Sequence, residues 1–73
     1  MASYNGHRSW NAWNVSLWIN NDEGLYRQAV DLVQRYGLKG ATQRLYRDLG
    51  ETRTPDGAVY NVTCIREALR GIV

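Results

Sequence analysis

The stretch WNAWNVSLWIN, residues 10–20, holds all three tryptophans of a 73-residue chain that contains no phenylalanine. Ser9 stands just before it, and serine is a favoured residue for capping the N-terminus of an α-helix. A helix over this stretch carries two apolar stripes, formed by Trp10, Trp13 and Leu17 and by Val15, Trp18 and Ile19. Such a helix either lies at the centre of the core or exposes one stripe to a partner. Asn14 falls between the stripes and needs a hydrogen-bond partner if it is buried.

The segment that follows has the pattern of an amphipathic helix. The cluster Asn20-Asn21-Asp22 predicts a break and a new N-terminal cap. Gly37 predicts the end of this second helix. Its apolar face is formed by Leu25, Tyr26, Ala29, Val30, Leu32, Val33 and Tyr36.

Two further helices are predicted in the second half of the chain. One runs from about Lys39 to Leu49, and the other, capped by Asn61, runs from Val62 to about Arg70. Between them, Thr54-Pro55-Asp56-Gly57 is a strong turn signal, with proline and glycine at the positions that turns favour. Residues 52–60 therefore have room for a minimal β-hairpin.

These elements predict an all-α fold, a compact bundle of three to four short helices. At 73 residues the chain is one domain, residues 1–73, and we expect residues 1–8 to be flexible. The predicted core consists of Trp13, Leu17, Val30, Val33, Leu45, Leu49, Ile65 and Leu69.

The chain offers little material for catalysis. Its one cysteine, Cys64, and its one histidine, His7, cannot form an internal disulfide or build a metal site together. Neither lies in a pattern typical of a nucleophile and its base, and there is no Gly-rich phosphate loop. We therefore expect no enzymatic activity, no cofactor and no metal.

No membrane contact is expected either. No apolar run approaches the ~20 residues that span a bilayer. The chain shows no signal-peptide pattern, and its lone cysteine suits a reducing compartment. We expect a cytoplasmic protein.

Positive charge is concentrated in the second half of the chain. Residues 1–34 hold two cations against three carboxylates, whereas residues 35–73 hold seven cations against four carboxylates. All but one of the cations are arginines, the residue type that recognises phosphate and carboxylate in a bidentate manner. An ordinary solvated face explains the same pattern, so both interpretations stay open.

Two resemblances bear on function. The residues Tyr4-Asn5-Gly6, followed by the tryptophan stretch, Asn21-Asp22-Glu23 and Leu25-Tyr26, resemble a family of small uncharacterised proteins from bacteriophages and plasmids. The resemblance implies an accessory protein of a mobile element, acting in the cytoplasm of a bacterial host. Small proteins of that origin often bind and block a host enzyme or defence complex, anti-CRISPR proteins among them.

The second resemblance covers residues 41–66, which are similar to the helix-turn-helix-like segment of large serine recombinases. There an amphipathic helix leads through a Thr-Pro-x-Gly turn to a capped second helix. The resemblance implies that the helix capped by Asn61 reads DNA. The nucleic-acid-binding residues would then be Arg53, Thr63, Arg66 and Arg70.

Two classes of function therefore compete. The favoured one is a non-enzymatic protein that binds and inhibits a host protein or a defence nucleoprotein complex. The alternative is a small helix-turn-helix DNA-binding module or transcriptional regulator. A homo-oligomer is compatible with either. Because tryptophan and arginine are enriched at binding hot spots, the predicted partner-binding residues are Trp10, Trp18, Arg44, Arg47, Arg66 and Arg70.

Overall fold

The computed structural model describes residues 9–72. Within this range the chain forms three α-helices: α1, Trp10–Asn21; α2, Glu23–Leu49; and α3, Val62–Arg70. The prediction of a compact all-α fold is confirmed, and three helices lie within the predicted number. The predictions for residues 1–8, His7 included, lie outside the described residues.

A short polar side chain caps the start of each helix. The capping bonds run from the Ala12 N–H to Ser9 Oγ at 3.1 Å, from the Leu25 N–H to Asp22 Oδ1 at 3.0 Å, and from the Cys64 N–H to Asn61 Oδ1 at 2.9 Å. Each bond satisfies a backbone donor that the first turn of a helix leaves without an intrahelical partner. Asp22 is also the C-cap of α1, because its N–H donates to the Trp18 carbonyl at 3.0 Å. One residue therefore separates the first two helices.

Helix α2 is interrupted at Gly37. This residue has φ 76° and ψ 178°, a conformation open almost only to glycine. The interruption divides α2 into residues 23–36 and residues 38–49, which match the second and third predicted helices. Gly50 then ends α2 in the left-handed conformation, with φ 50° and ψ 52°.

The connection between α2 and α3 turns tightly. The Gly57 N–H donates to the Thr54 carbonyl at 2.9 Å, and the Thr54 N–H donates to the Ala58 carbonyl at 2.7 Å. Before and after this turn, Arg53 and Val59 form one isolated antiparallel bridge. The hairpin thus amounts to a single bridged pair, and the described part of the chain contains no extended strand.

The core lies where α3 packs against both other helices. Among its fully buried side chains, the largest apolar ones are Ile19, Leu45, Ile65 and Leu69. Alanines fill much of the remaining space. The buried apolar residues are Ala12, Val15, Ile19, Ala29, Ala41, Leu45, Ala58, Tyr60, Cys64, Ile65, Ala68 and Leu69.

The core prediction was wrong for Trp13, Leu17 and Val30, which are only half-buried and lie outside the core. For Trp13 and Leu17, the physical reason is the rotation of α1. This helix turns the stripe that contains Val15 and Ile19 inward, so the stripe that contains Trp13 faces away. Among the other predicted core residues, Leu45, Ile65 and Leu69 are buried, and Val33 and Leu49 pack half-buried against them.

Candidate functional site

Asn14 joins α1 to the turn that precedes α3. Its side chain is buried, with 1% exposure. The amide oxygen accepts from the Thr54 hydroxyl at 2.6 Å, and the amide nitrogen donates to Asp56 Oδ2 at 2.9 Å. Thr54 Oγ1 also accepts from the Ala58 N–H at 3.1 Å. Asn14 therefore has the partners that its burial required.

Trp18 binds the same carboxylate. Its indole N–H donates to Asp56 Oδ2 at 2.9 Å. The hydrogen bond from Asn14, followed by that from Trp18, holds the pKa of Asp56 below its ordinary value. Both donors stabilise the charged form of the carboxyl group. The indole N–H of Trp18 thus already has a hydrogen-bond acceptor within the chain.

Asn11 pairs with the backbone just beyond the turn. Its amide oxygen accepts from the Val59 N–H at 2.8 Å, and its amide nitrogen donates to the Val59 carbonyl at 2.9 Å. The same nitrogen lies 3.2 Å from Cys64 Sγ, on α3. The Asn11 side chain thus pairs with Val59 as a neighbouring β-strand would, because it hydrogen-bonds to both the N–H and the carbonyl of that residue.

These contacts form one unit, which we call the turn latch: Asn11, Asn14, Trp18, Thr54 and Asp56. Sequence reasoning missed it as a unit and identified only the need of Asn14 for a partner. A signal was present, because Asn11, Asn14 and Trp18 follow the i, i+3, i+7 spacing of one helix face. The sequence contains no comparable signal for the identity of the groups that they would meet.

The remaining tryptophans lie on the outer side of α1. Trp10 is 41% exposed, while Trp13 and Leu17 are half-buried. These three residues, which we call the outer stripe, share a helix face roughly opposite the buried Ala12 and Val15. Of the predicted pair Trp10 and Trp18, Trp10 is the more exposed residue.

A cleft of about 430 Å³ separates the second part of α2 from α3. Its lining includes one cation from each helix, Lys39 and Arg66. We call it the cationic cleft, and it is lined by Leu38, Lys39, Thr42, Gln43, Val62 and Arg66. Arg66 was among the predicted binding residues, whereas Lys39, Gln43 and Val62 were not.

The other predicted arginines have separate surroundings. The Arg44 guanidinium lies over the Tyr36 ring, 3.8 Å from its centroid. Arg53 donates to the Gly57 carbonyl at 3.0 Å and so supports the turn. The remaining predicted residues, Arg47, Thr63 and Arg70, are exposed.

The structure does not gather the predicted residues into one cluster. Cys64 meets Asn11 of α1, whereas Arg66 lines the cleft with residues of α2. These two positions of α3 are two residues apart and therefore point to nearly opposite sides of the helix. The surface next to Trp10 and the cationic cleft are consequently two separate candidate regions.

Chemically reactive groups are scarce in the described part of the chain. Cys64 is buried and unpaired with another cysteine. Residues 9–72 contain no cluster of three or more His, Cys, Asp or Glu side chains that could hold a metal ion. None of the helices described is both long and apolar enough to cross a bilayer.

Comparison with known proteins identifies a family for the chain but no function. Neither the curated proteins nor the solved structures include a match to the chain. Residues 1–72 match a family of unknown function, DUF7249. The match covers the regions of both sequence resemblances and bears on neither a phage origin nor a relation to recombinases. The chain thus belongs to the DUF7249 family.

Proposed function

We propose that this chain is a non-enzymatic binding protein that attaches to a host protein, or to the protein part of a defence nucleoprotein complex, and inhibits it. The outer stripe is the observation that carries the proposal. Trp10 is 41% exposed on a helix whose opposite face is fully buried. Exposed apolar patches mark interaction sites, and tryptophan is enriched among residues that dominate binding energy.

The composition of α1 supports this role. Asn11, Asn14 and Trp18 use their polar groups within the turn latch. Trp10 and Trp13 take no part in it. The latch ties the inner side of α1 to the rest of the molecule, so the outer stripe is presented on a fixed support. Preorganised aromatic surfaces lose less entropy on binding than mobile ones. The mobile-element setting, and with it an action of the anti-CRISPR kind, rests on the sequence resemblance alone.

The experiment compares two exposed aromatic residues. Trp10 is 41% exposed and Tyr26 is 40% exposed, on different helices. A tagged chain is used to capture partners from a bacterial host lysate, and affinity for the isolated partner is then measured by calorimetry. We expect Trp10→Ala to weaken binding by about thirtyfold or more, which corresponds to ~2 kcal/mol. Tyr26→Ala is the matched control and should leave the affinity almost unchanged.

Salt dependence separates this proposal from DNA binding. A protein interface centred on Trp10 should keep most of its affinity as salt rises, whereas DNA binding should weaken steeply. For DNA, Arg66→Gln should lower the log–log salt slope by about 1. The connection from residue 50 to residue 61 is far longer than the ~3–4-residue turn of a helix-turn-helix motif, which favours the protein partner. Tight duplex binding that is indifferent to Trp10→Ala would refute the proposal.

A further inference from the structure

We infer that the cationic cleft binds an acidic peptide segment of a protein partner, in which an apolar side chain is flanked by aspartate or glutamate. The inference goes beyond the proposed function, because the cleft is separate from the outer stripe. Its shape is set by three pairs of residues at i, i+4 spacing. These pairs are Leu38 with Thr42, Lys39 with Gln43, and Val62 with Arg66.

The apolar part of the cleft suits a hydrophobic side chain. Val62 is 46% exposed, which is high for a valine on a helix that packs against two others. Leu38 is half-buried beside the core. The Thr42 hydroxyl already donates to the Leu38 carbonyl at 2.7 Å, so its proton is not available to a ligand. Covering Val62 and Leu38 with an apolar side chain removes their exposed surface from water, which favours binding.

The positive charges of the cleft favour an anionic partner. No Asp or Glu lines it, and within the described residues neither Lys39 nor Arg66 forms an ion pair. The first part of α2 is different: Arg27 and Arg35 pair with acids one turn away, at 2.6 Å and 3.0 Å. The chain thus neutralises its cations along residues 23–36 but leaves those of the cleft open. The positive end of the α3 dipole, at Val62, adds to this field.

A peptide fits these features better than a nucleic acid. Proteins that bind single strands stack bases on aromatic side chains, and the lining contains no aromatic residue. A cation on each helix, together with the leucine and valine of the same lining, matches a peptide that combines carboxylates with an apolar residue. Gln43 can hydrogen-bond to a peptide backbone group, because its amide is both donor and acceptor.

The test uses a fluorescein-labelled peptide of repeated Leu-Glu-Glu and a matched peptide in which glutamine replaces every glutamate. Fluorescence anisotropy gives the affinity of the full chain, and amide chemical shifts locate the contact. We expect the glutamate peptide to bind at least about tenfold more tightly than the glutamine peptide. The shifts should centre on residues 38–43 and 62–66.

Charge reversals then test the assignment. Lys39→Glu and Arg66→Glu should each weaken binding of the glutamate peptide by about tenfold or more. Arg70→Glu is the matched control, since Arg70 is exposed on α3 outside the cleft, and should change the affinity less than about threefold. Circular dichroism verifies that each variant folds, and Arg66→Gln provides a milder change at the same position.

The inference would be overturned by equal binding of the two peptides, by equal losses for Arg66→Glu and Arg70→Glu, or by amide shifts centred on α1. Displacement of the peptide by duplex DNA, with tighter binding of the DNA, would assign the cleft to nucleic acid instead. None of these variants alters Trp10. Failure of the cleft assignment is therefore distinguishable from failure of the outer stripe as a binding surface.

Discussion

At the scale of single residues, the asparagines of the opening stretch explain its unusual composition. Asn11 and Asn14 each bring a donor and an acceptor to a helix face that would otherwise be apolar. Their partners are backbone and side-chain groups of the turn, which would be unsatisfied against an apolar helix. The amides therefore let α1 pack directly on a polar turn, at a place where leucine or valine would leave donors and acceptors without partners.

We expect Asp56 to make this junction sensitive to acid. Its pKa in the folded protein is lowered, first by the hydrogen bond from Asn14 and then by that from Trp18. A lowered folded pKa contributes stability above the ordinary carboxyl pKa, and this contribution is lost as pH falls through the lowered value. We expect Asp56→Asn to lower the free energy of unfolding at neutral pH. Below about pH 4, the difference in this free energy between the variant and the wild type should shrink. Urea unfolding at a series of pH values measures both effects.

The control variant removes the Trp18 hydrogen-bond donor and keeps the Asp56 carboxyl group. Trp18→Phe retains an aromatic ring but removes the indole N–H, so it should reduce the acid dependence only in part. A constant difference in unfolding free energy between Asp56→Asn and the wild type at every pH would contradict the prediction.

At the scale of elements, Gly37 decides how residues 23–49 are arranged. Its φ of 76° and ψ of 178° let two helical segments follow each other without a loop. The direction of the chain changes there, so Gln28 of the first part donates to Asp48 Oδ2 of the second part at 2.7 Å. Residues of the second part then line the cleft beside α3. The cationic cleft depends on this change, since Leu38 and Lys39 come directly after the break.

A substitution at Gly37 should therefore act through the backbone alone. No heavy atom outside its own chain neighbours lies within 4 Å of the position that a Cβ would take, so there is no clash to relieve. We expect Gly37→Ala to cost about 1–3 kcal/mol of stability, measured by urea unfolding. Gly24→Ala is the control: its Cβ would lie 3.6 Å from Asp22 Oδ1, an ordinary contact in a regular helix. It should be neutral or stabilising by up to ~1 kcal/mol. Equal destabilisation by both changes would argue against a special role for Gly37.

At the scale of the whole molecule, the small core lies within a body that measures 37 × 21 × 20 Å along its principal axes. Much of the apolar surface of the first two helices is not enclosed. Besides Trp10, the side chains of Tyr26 and Tyr36 are exposed at 40% and 46%. A chain of this size buries a limited fraction of its surface, so each large buried side chain contributes a substantial part of its stability.

Alanine substitutions at two leucines should distinguish a core position from a surface position by their effects on stability. Leu45 is fully buried where α2 meets the rest of the core, and Leu17 lies half-buried on the outer stripe. We expect Leu45→Ala to cost ~2–5 kcal/mol, because it leaves a cavity. Leu17→Ala should cost roughly 1 kcal/mol or less. Chemical denaturation measures both, and similar losses for the two variants would show that the outer stripe belongs to the core.

The sequence by itself determined where helices begin, break and end. Ser9, Asp22 and Asn61 cap them, and Gly37 and Gly50 interrupt or end α2, because capping bonds and backbone conformations depend on neighbours within a turn of helix. Only the tertiary structure decided which stripe of α1 faces inward. Two stripes of similar hydrophobicity compete, and the choice depends on groups about forty residues away, such as Thr54 and Asp56. The cationic cleft likewise exists only because two segments distant in the chain lie side by side.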